Sequence, residues 1–266
     1  MSVTEYVSSE DGTRIAFERT GRGPALILVN GALSERSSTP ALAAQLSGKF
    51  TVIAFDRRGR GESGDTQPYA VEREVEDIDA LIEMAGGRAF VFGHSSGAVL
   101  ALEAANQLGR INRLAVYEPP FIVSEEGTRL PPEYDQKIET LISEGKRGDA
   151  AEYFLTVAVG VPAGAVAQMK LAPSWPGMER IAHTLRYDQA VMGGTMAGRP
   201  LPRDRWTSVT IPTLVMDGGA SPAWFAKGAD NLAAVLSNSR RQTLPGQTHG
   251  ADPEVIAPVL IEFFKG

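Results

Sequence analysis

The stretch VFGHSSGAVL, residues 91–100, places a serine between two glycines where an apolar strand is predicted to turn into a helix. Its central part, GHSSG at 93–97, matches the pattern G-x-S-x-G. Such a turn strains the serine backbone, and a Cβ on either flanking residue would collide with the neighbouring strand or helix. The turn also lifts the serine Oγ above the carboxyl edge of the sheet, where ligands bind in open α/β folds. Ser95 is therefore the candidate nucleophile.

Apolar runs on both sides of this turn alternate with helical patterns. Runs such as PALILVN at 24–30 and FTVIAFD at 50–56 are typical of strands buried on both faces of a parallel sheet. Residues 71–85 carry apolar side chains at helical spacing, and two glycines follow them. The alternation predicts an α/β fold with a mostly parallel sheet flanked by helices. An N-terminal hairpin turning at Asp11-Gly12 precedes it, and Asp252 is expected to cap a final helix.

The alternation breaks after Glu118. Proline pairs follow at 119–120 and 131–132, and residues 133 to about 198 are predicted to be mostly helical. The strand pattern resumes at residue 211 with IPTLVMDGG. We expect a core domain made of residues 1–120 and 208–266, with a helical cap inserted as residues 121–207.

Composition excludes several kinds of chemistry. The 266 residues include no cysteine, which removes disulfides, thiolate metal sites and cysteine nucleophiles. A net charge of −6 argues against general affinity for nucleic acid or anionic membranes. The N-terminus does not resemble a signal peptide, and no apolar run is long enough to span a bilayer. We expect a cytoplasmic protein that uses neither a metal nor a cofactor; the sequence does not predict an oligomeric state.

A serine hydroxyl needs a base held against it before it can act as a nucleophile, and the chain has three histidines. His249 lies in the loop GQTHGADP between the last predicted strand and the last helix. That loop returns to the sheet edge that carries Ser95, so His249 is the expected base. His94 is adjacent to the serine and should point away from its Oγ, whereas His183 falls in the predicted cap.

Four segments together resemble a known family. They are Gly31-Ala32 after the strand LILVN, DRRGRGESGD after the next strand, GHSSGA, and the late His249. The chain resembles α/β-hydrolase-fold esterases and lactonases over essentially its whole length. The resemblance implies an oxyanion hole formed by the amides of Ala32 and Ser96, with Gly31 allowing close backbone approach. It also implies that the arginine-rich loop is a structural turn around Asp56, and the loop lacks the lysine of a phosphate-binding P-loop.

The acid of the triad is less obvious. Most of the superfamily carries an aspartate at the position that falls on Ser221 here. Glu118, which ends the strand LAVYE, is an alternative acid position used by some members, among them the zearalenone-lactonase type. The chain resembles that type in its paired SSG elbow and its acid-proline strand end. Glu118 is preferred because it terminates a strand at the active edge, and Asp217 at the end of LVMD is the alternative.

These residues predict cleavage of a small-molecule ester or lactone through an acyl-enzyme intermediate. C–C bond hydrolysis, amidase activity and cofactor-free perhydrolysis remain alternatives, as does a non-catalytic receptor on the same fold. Dehalogenase and epoxide-hydrolase chemistry fit less well, because those relatives carry aspartate in place of Ser95. The predicted cap offers these side chains as pocket walls: Trp175, Met178, His183, Tyr187 and Met192.

Overall fold

The computed structural model describes residues 3–125 and 130–266, and one sheet lies at the centre of this part of the chain. Its strands are β1 (Glu5–Ser8), β2 (Arg14–Thr20), β3 (Ala25–Val29), β4 (Thr51–Phe55), β5 (Ala89–His94), β6 (Ile111–Tyr117), β7 (Thr213–Gly218) and β8 (Ser239–Leu244). They lie in the order β1-β2-β4-β3-β5-β6-β7-β8. The β1–β2 and β2–β4 pairs are antiparallel and the others are parallel. The predicted hairpin and the mostly parallel sheet are confirmed.

Helices cover both faces of the sheet. They are α1 (Pro40–Leu46), α2 (Val71–Met84), α3 (Ser96–Gln107), α9 (Ala223–Val235) and α10 (Pro253–Lys265). One apolar cluster joins α2, α3 and α9 to the sheet, and a second joins α1 and α10 to it. The Asp252 side chain accepts a hydrogen bond from the Glu254 amide at 2.9 Å, which confirms the predicted cap of the last helix. No helix of the described residues is long and apolar enough to cross a membrane.

The segment between β6 and β7 is mostly helical from Tyr134 to Met192, as its sequence predicts. It contains α4 (Tyr134–Ser143), α5 (Arg147–Tyr153), α6 (Ala163–Met169), α7 (Trp175–Ile181) and α8 (Leu185–Met192). These helices share their own apolar cluster, in which Ile138, Ala150 and Val166 are fully buried. From Val191 onward the chain packs into the main core, with Trp206 buried there. The helical segment is therefore anchored on the sheet domain beside α3.

Candidate active site

Ser95 occupies the sharp turn between β5 and α3. Its backbone has φ 58° and ψ −131°, a conformation that residues other than glycine rarely adopt. A Cβ on Gly93 would lie 2.6 Å from the Cα of Ala98, and one on Gly97 would lie 2.3 Å from the carbonyl oxygen of Val29. Both distances are shorter than real Cβ contacts allow, so glycine is required at both positions. The turn holds Ser95 at the carboxyl edge of the sheet.

His249 lies in the loop between β8 and α10, and its imidazole contacts a buried carboxylate. Nδ1 of His249 is 2.7 Å from Oε2 of Glu118, whose side chain is fully buried just after β6. The other oxygen, Oε1, accepts the amide of Gly218 at 2.8 Å. Because an ionised carboxylate only accepts hydrogen bonds, His249 donates from Nδ1. The neutral ring then carries its free lone pair on Nε2, the tautomer that a general base needs.

Asp217, the alternative acid, lies inside β7 and has a different partner. Its buried carboxylate accepts a hydrogen bond from Nη1 of Arg241 at 2.7 Å. Among the described residues, Glu118 is thus the carboxylate that contacts His249 and Asp217 is not. The difference follows from the backbone, because Asp217 continues a strand whereas Glu118 leaves one with φ 47°.

His94 supports the loop that carries His249. Its Nε2 lies 2.8 Å from the carbonyl oxygen of His249, and the two ring centroids are 4.7 Å apart. Desolvation by burial lowers the pKa of His94 to about 3, and the nearby imidazole of His249 acts on that pKa in the same direction. His94 is therefore neutral at ordinary pH and donates to the carbonyl. Its ring contacts the loop backbone.

Ser95 and His249 line one cavity of about 410 Å³. This volume lies within the usual range for small-molecule sites. The wall between the sheet edge and the helical segment is mainly apolar, and its apolar side chains include Leu130, Phe154, Leu185, Met192, Trp224 and Phe225. The ring of Phe225 stacks on His249 with centroids 4.9 Å apart. The described residues contain no cluster of His, Asp or Glu that could hold a metal ion.

Ala32 and Ser96 are the residues whose backbone amides are expected to form an oxyanion hole. Ala32 and Ser96 both line the cavity beside Ser95. The Ser96 amide is the first of α3, so it has no partner within the helix and lies at the positive end of the helix dipole. A Cβ on Gly31 would lie 2.8 Å from the Cβ of Ser95, which explains the glycine there.

The model of the alpha/beta hydrolase family matches residues 26–259. The chain belongs to the alpha/beta hydrolase family. A solved structure of an alpha/beta hydrolase from Sphaerobacter thermophilus DSM 20745 is 56% identical, with a TM-score of 0.91, and the match covers 98% of this chain and 100% of that one.

Two curated relatives of this hydrolase are more distant. The 2-(acetamidomethylene)succinate hydrolase of Mesorhizobium japonicum (strain LMG 29417 / CECT 9101 / MAFF 303099) is 26% identical over 253 residues, which cover 91% of this chain and 88% of the relative. The uncharacterized hydrolase YraK of Bacillus subtilis (strain 168) is 31% identical over 135 residues. That second match spans only about half of either protein, 49% of this chain and 50% of YraK.

The three arginines of the arginine-rich loop are buried and paired within the hydrolase. Arg58 donates hydrogen bonds to the carboxylates of Asp77, at 2.6 Å, and Asp11, at 2.8 Å. Asp56 accepts the backbone amide of Glu62 at 3.0 Å and also contacts the Arg36 side chain. The loop is therefore a structural turn around Asp56, as the resemblance implies, and its guanidinium groups are already neutralised.

Sequence reasoning missed Asp188, which ties the helical segment to the serine turn. Its Oδ1 accepts from Nη1 of Arg57 and from the Ser96 hydroxyl, each at 2.7 Å, and its Oδ2 accepts from Nη2 of Arg60 at 2.7 Å. Burial alone would raise the pKa of Asp188, but the charges of Arg60 and Arg57 and the Ser96 hydroxyl outweigh it and lower that pKa. Adjacent buried arginines require counter-charges, and this requirement was the one available sequence signal.

Four of the five side chains proposed as pocket walls lie elsewhere, and Met192 alone of them lines the cavity. Trp175 and Met178 pack in the apolar cluster of the helical segment, where the Trp175 indole donates a hydrogen bond to Glu179 at 2.8 Å.

Tyr187 stacks on Tyr69 with ring centroids 3.9 Å apart, and its hydroxyl donates a hydrogen bond to Asp65. His183 lies edge-on to Tyr187. These four expectations are corrected: the side chains contact other protein side chains and do not line the cavity.

Replacing Asp188 by asparagine is expected to destabilise the hydrolase. The neutral side chain would leave Arg57 and Arg60 buried with one negative charge fewer, and breaking a buried ion pair costs about 3–5 kcal/mol of unfolding free energy. Because the pKa of Asp188 is lowered, its contribution is present above the ordinary value of 3.8 and is lost as pH falls through the folded-state pKa. Urea denaturation across pH should therefore show a constant deficit above pH 3.8 that shrinks at lower pH.

The matched control is Asp204→Asn, which makes the same chemical change at an exposed position outside this network. This substitution should change the unfolding free energy by less than about 0.5 kcal/mol. Equal stabilities for the Asp188 variant and the wild type would contradict the role given to Asp188.

Proposed function

We propose that this hydrolase cleaves a carboxylic ester or a lactone through a covalent acyl-enzyme on Ser95. The observation that carries the proposal is the contact of Glu118 with Nδ1 of His249, on the same cavity as a backbone-strained serine. A buried carboxylate that fixes the imidazole tautomer, beside an activated serine, is the arrangement used for acyl transfer.

In the proposed mechanism, Ser95 Oγ attacks the substrate carbonyl carbon while Nε2 of His249 takes the hydroxyl proton. Glu118 orients the ring and stabilises the imidazolium that forms. The oxygen that gains negative charge binds the amides of Ala32 and Ser96. The protonated His249 then gives its proton to the leaving alkoxide, and the carbonyl–oxygen bond breaks to leave the acyl-enzyme.

Hydrolysis completes the cycle. His249 removes a proton from water, whose oxygen attacks the acyl carbon. The protonated His249 then gives that proton to Ser95 Oγ as the bond between Oγ and the acyl carbon breaks, which releases the acid. The side-chain and carbonyl hydrogen bonds of His249 within the described residues are those with Glu118 and His94. We propose that Nε2 of His249 forms its hydrogen bond with Ser95 Oγ when substrate binds, because catalytic hydrogen bonds commonly align only in the complex with substrate.

We further propose that residues 121–207 act as a cap over this site. The described helices of that segment contribute Leu185 and Met192 to the cavity wall, and the sheet domain contributes Ser95 and His249. In this arrangement the core domain supplies the reacting groups and the cap shapes the space for the substrate.

Turnover of p-nitrophenyl acetate and butyrate, followed by rapid mixing, tests the proposal. An acyl-enzyme mechanism predicts a burst of nitrophenolate close to the enzyme concentration whenever deacylation is slower than acylation, followed by steady turnover. Failure to hydrolyse any member of an ester and lactone panel would contradict it and favour the non-catalytic receptor.

A further inference from the structure

The described part of the cavity wall carries two carboxylates and no cationic side chain. Among the described residues that line it, Asp135 and Asp188 are acidic, and neither a lysine nor an arginine is present. The protein as a whole has a net charge of −6. A carboxylate on a bound substrate would therefore lose water and meet no cation among these residues, which is unfavourable.

The nearest buried cations lie behind Asp188 and are already committed. Arg57 holds Glu74 through two hydrogen bonds of 2.6 and 2.7 Å in addition to Asp188. Arg60 donates to the carbonyl of Gly31 at 2.6 Å as well as to Asp188. Both guanidinium groups are almost fully buried and neither lines the cavity. They neutralise Asp188 from the protein side, and neither guanidinium is open to a ligand in the cavity.

Two neutral polar groups of the wall have no partner among the described residues. The Nε2 atom of Gln189 and the Oγ atom of Ser221 are both buried from solvent without a hydrogen bond. Both residues line the cavity, Gln189 from α8 and Ser221 from the turn after β7. Buried polar atoms are nearly always paired in folded proteins, so each of these needs an explanation. For Gln189, the explanation is a substrate oxygen that accepts a hydrogen bond from the side-chain amide.

Resting on the proposed ester or lactone hydrolysis, we propose that the substrate is uncharged and largely apolar, with a neutral acceptor oxygen away from the scissile carbonyl. That oxygen, of a carbonyl, ether or hydroxyl, accepts a hydrogen bond from Nε2 of Gln189. The Ser221 hydroxyl is the second polar contact, and Leu185 and Phe225 bury the hydrocarbon part. A substrate with a free carboxylate is rejected. The Mesorhizobium relative, by contrast, is named for a substituted succinate.

Three p-nitrophenyl esters of similar length test this substrate class at neutral pH. They are p-nitrophenyl methyl adipate, its free acid p-nitrophenyl hydrogen adipate, and p-nitrophenyl heptanoate. We expect kcat/KM for the methyl ester to exceed that for the free acid by about 100-fold or more, because the acid buries an unpaired charge. Equal turnover of the two, or preference for the acid, would overturn the inference while leaving ester hydrolysis intact.

Gln189→Leu separates the role of the amide from that of the cavity shape. The ratio of kcat/KM for the methyl adipate ester to that for the heptanoate is expected to fall about tenfold, the effect of one lost hydrogen bond. Gln168→Leu, at an exposed glutamine of α6, is the matched control and should keep the wild-type ratio. An unchanged ratio in Gln189→Leu would overturn the acceptor contact. Absence of turnover with all three esters would instead remove the proposed function and the inference together.

Discussion

Ser95→Ala is expected to lower kcat for p-nitrophenyl butyrate by about 10⁴-fold or more. The substitution removes the atom that forms the acyl-enzyme, while the oxyanion-hole amides and the cavity remain. The Ser95 backbone conformation is costly for alanine as it is for serine, so the change should affect chemistry far more than folding. Initial rates from nitrophenolate release measure the effect, and thermal unfolding of the same samples shows whether the variant is folded.

Ser237→Ala provides the control for this substitution. Ser237 is exposed in the loop before β8, at the edge of the sheet opposite to Ser95. Its alanine variant should hydrolyse the ester at the wild-type rate. If the Ser95 variant were folded and kept more than about one tenth of the wild-type kcat, a serine nucleophile at this position would be ruled out, since that loss is far smaller than triads show.

Glu118→Gln is expected to lower kcat by about 10³- to 10⁴-fold. Glutamine is nearly isosteric, but its amide can donate to Nδ1 and so favours the tautomer that carries the proton on Nε2. It also removes the negative charge that stabilises the imidazolium in the transition state. The side-chain oxygen of the glutamine can still accept a hydrogen bond from the Gly218 amide, so this backbone contact is retained.

Asp217→Asn is the matched comparison, because it changes a buried carboxylate one strand away. Its partner is Arg241, and the loss should reduce the free energy of unfolding without removing ester turnover. Rates of both variants on p-nitrophenyl butyrate decide between the two carboxylates. Near-normal turnover in Glu118→Gln together with collapse in Asp217→Asn would reverse the assignment.

The sequence predicts the elements that local patterns specify. The glycines at 93 and 97, the buried strands around them and the acidic cap at residue 252 are each encoded within a few positions, and the structure confirms the strands and that cap. A turn with this spacing leaves little choice of backbone, because a Cβ at Gly93 would meet α3. Fold class and the position of Ser95 therefore follow from short-range information.

Side-chain positions that depend on long-range packing are harder to predict from the sequence. Asp188 meets Arg57 from 131 positions away, and no local pattern marks that pairing. Tyr187 and Trp175 look like ligand-binding aromatics in sequence, yet one stacks on Tyr69 and the other is buried among helices. The sequence limits the carboxylate that contacts His249 to two candidates at strand ends, Glu118 and Asp217. Choosing between them required the backbone turn at Glu118, where φ is 47°.

The central claim is that Ser95 is the nucleophile, and covalent labelling tests it most directly. The wild-type protein is treated with an alkyl fluorophosphonate, its intact mass is measured, and the modified peptide is sequenced. We expect one adduct per chain, located on Ser95, formed slowly in Glu118→Gln and absent in Ser95→Ala. An unmodified wild-type protein, or a label on Ser96 or Ser221 in place of Ser95, would contradict it.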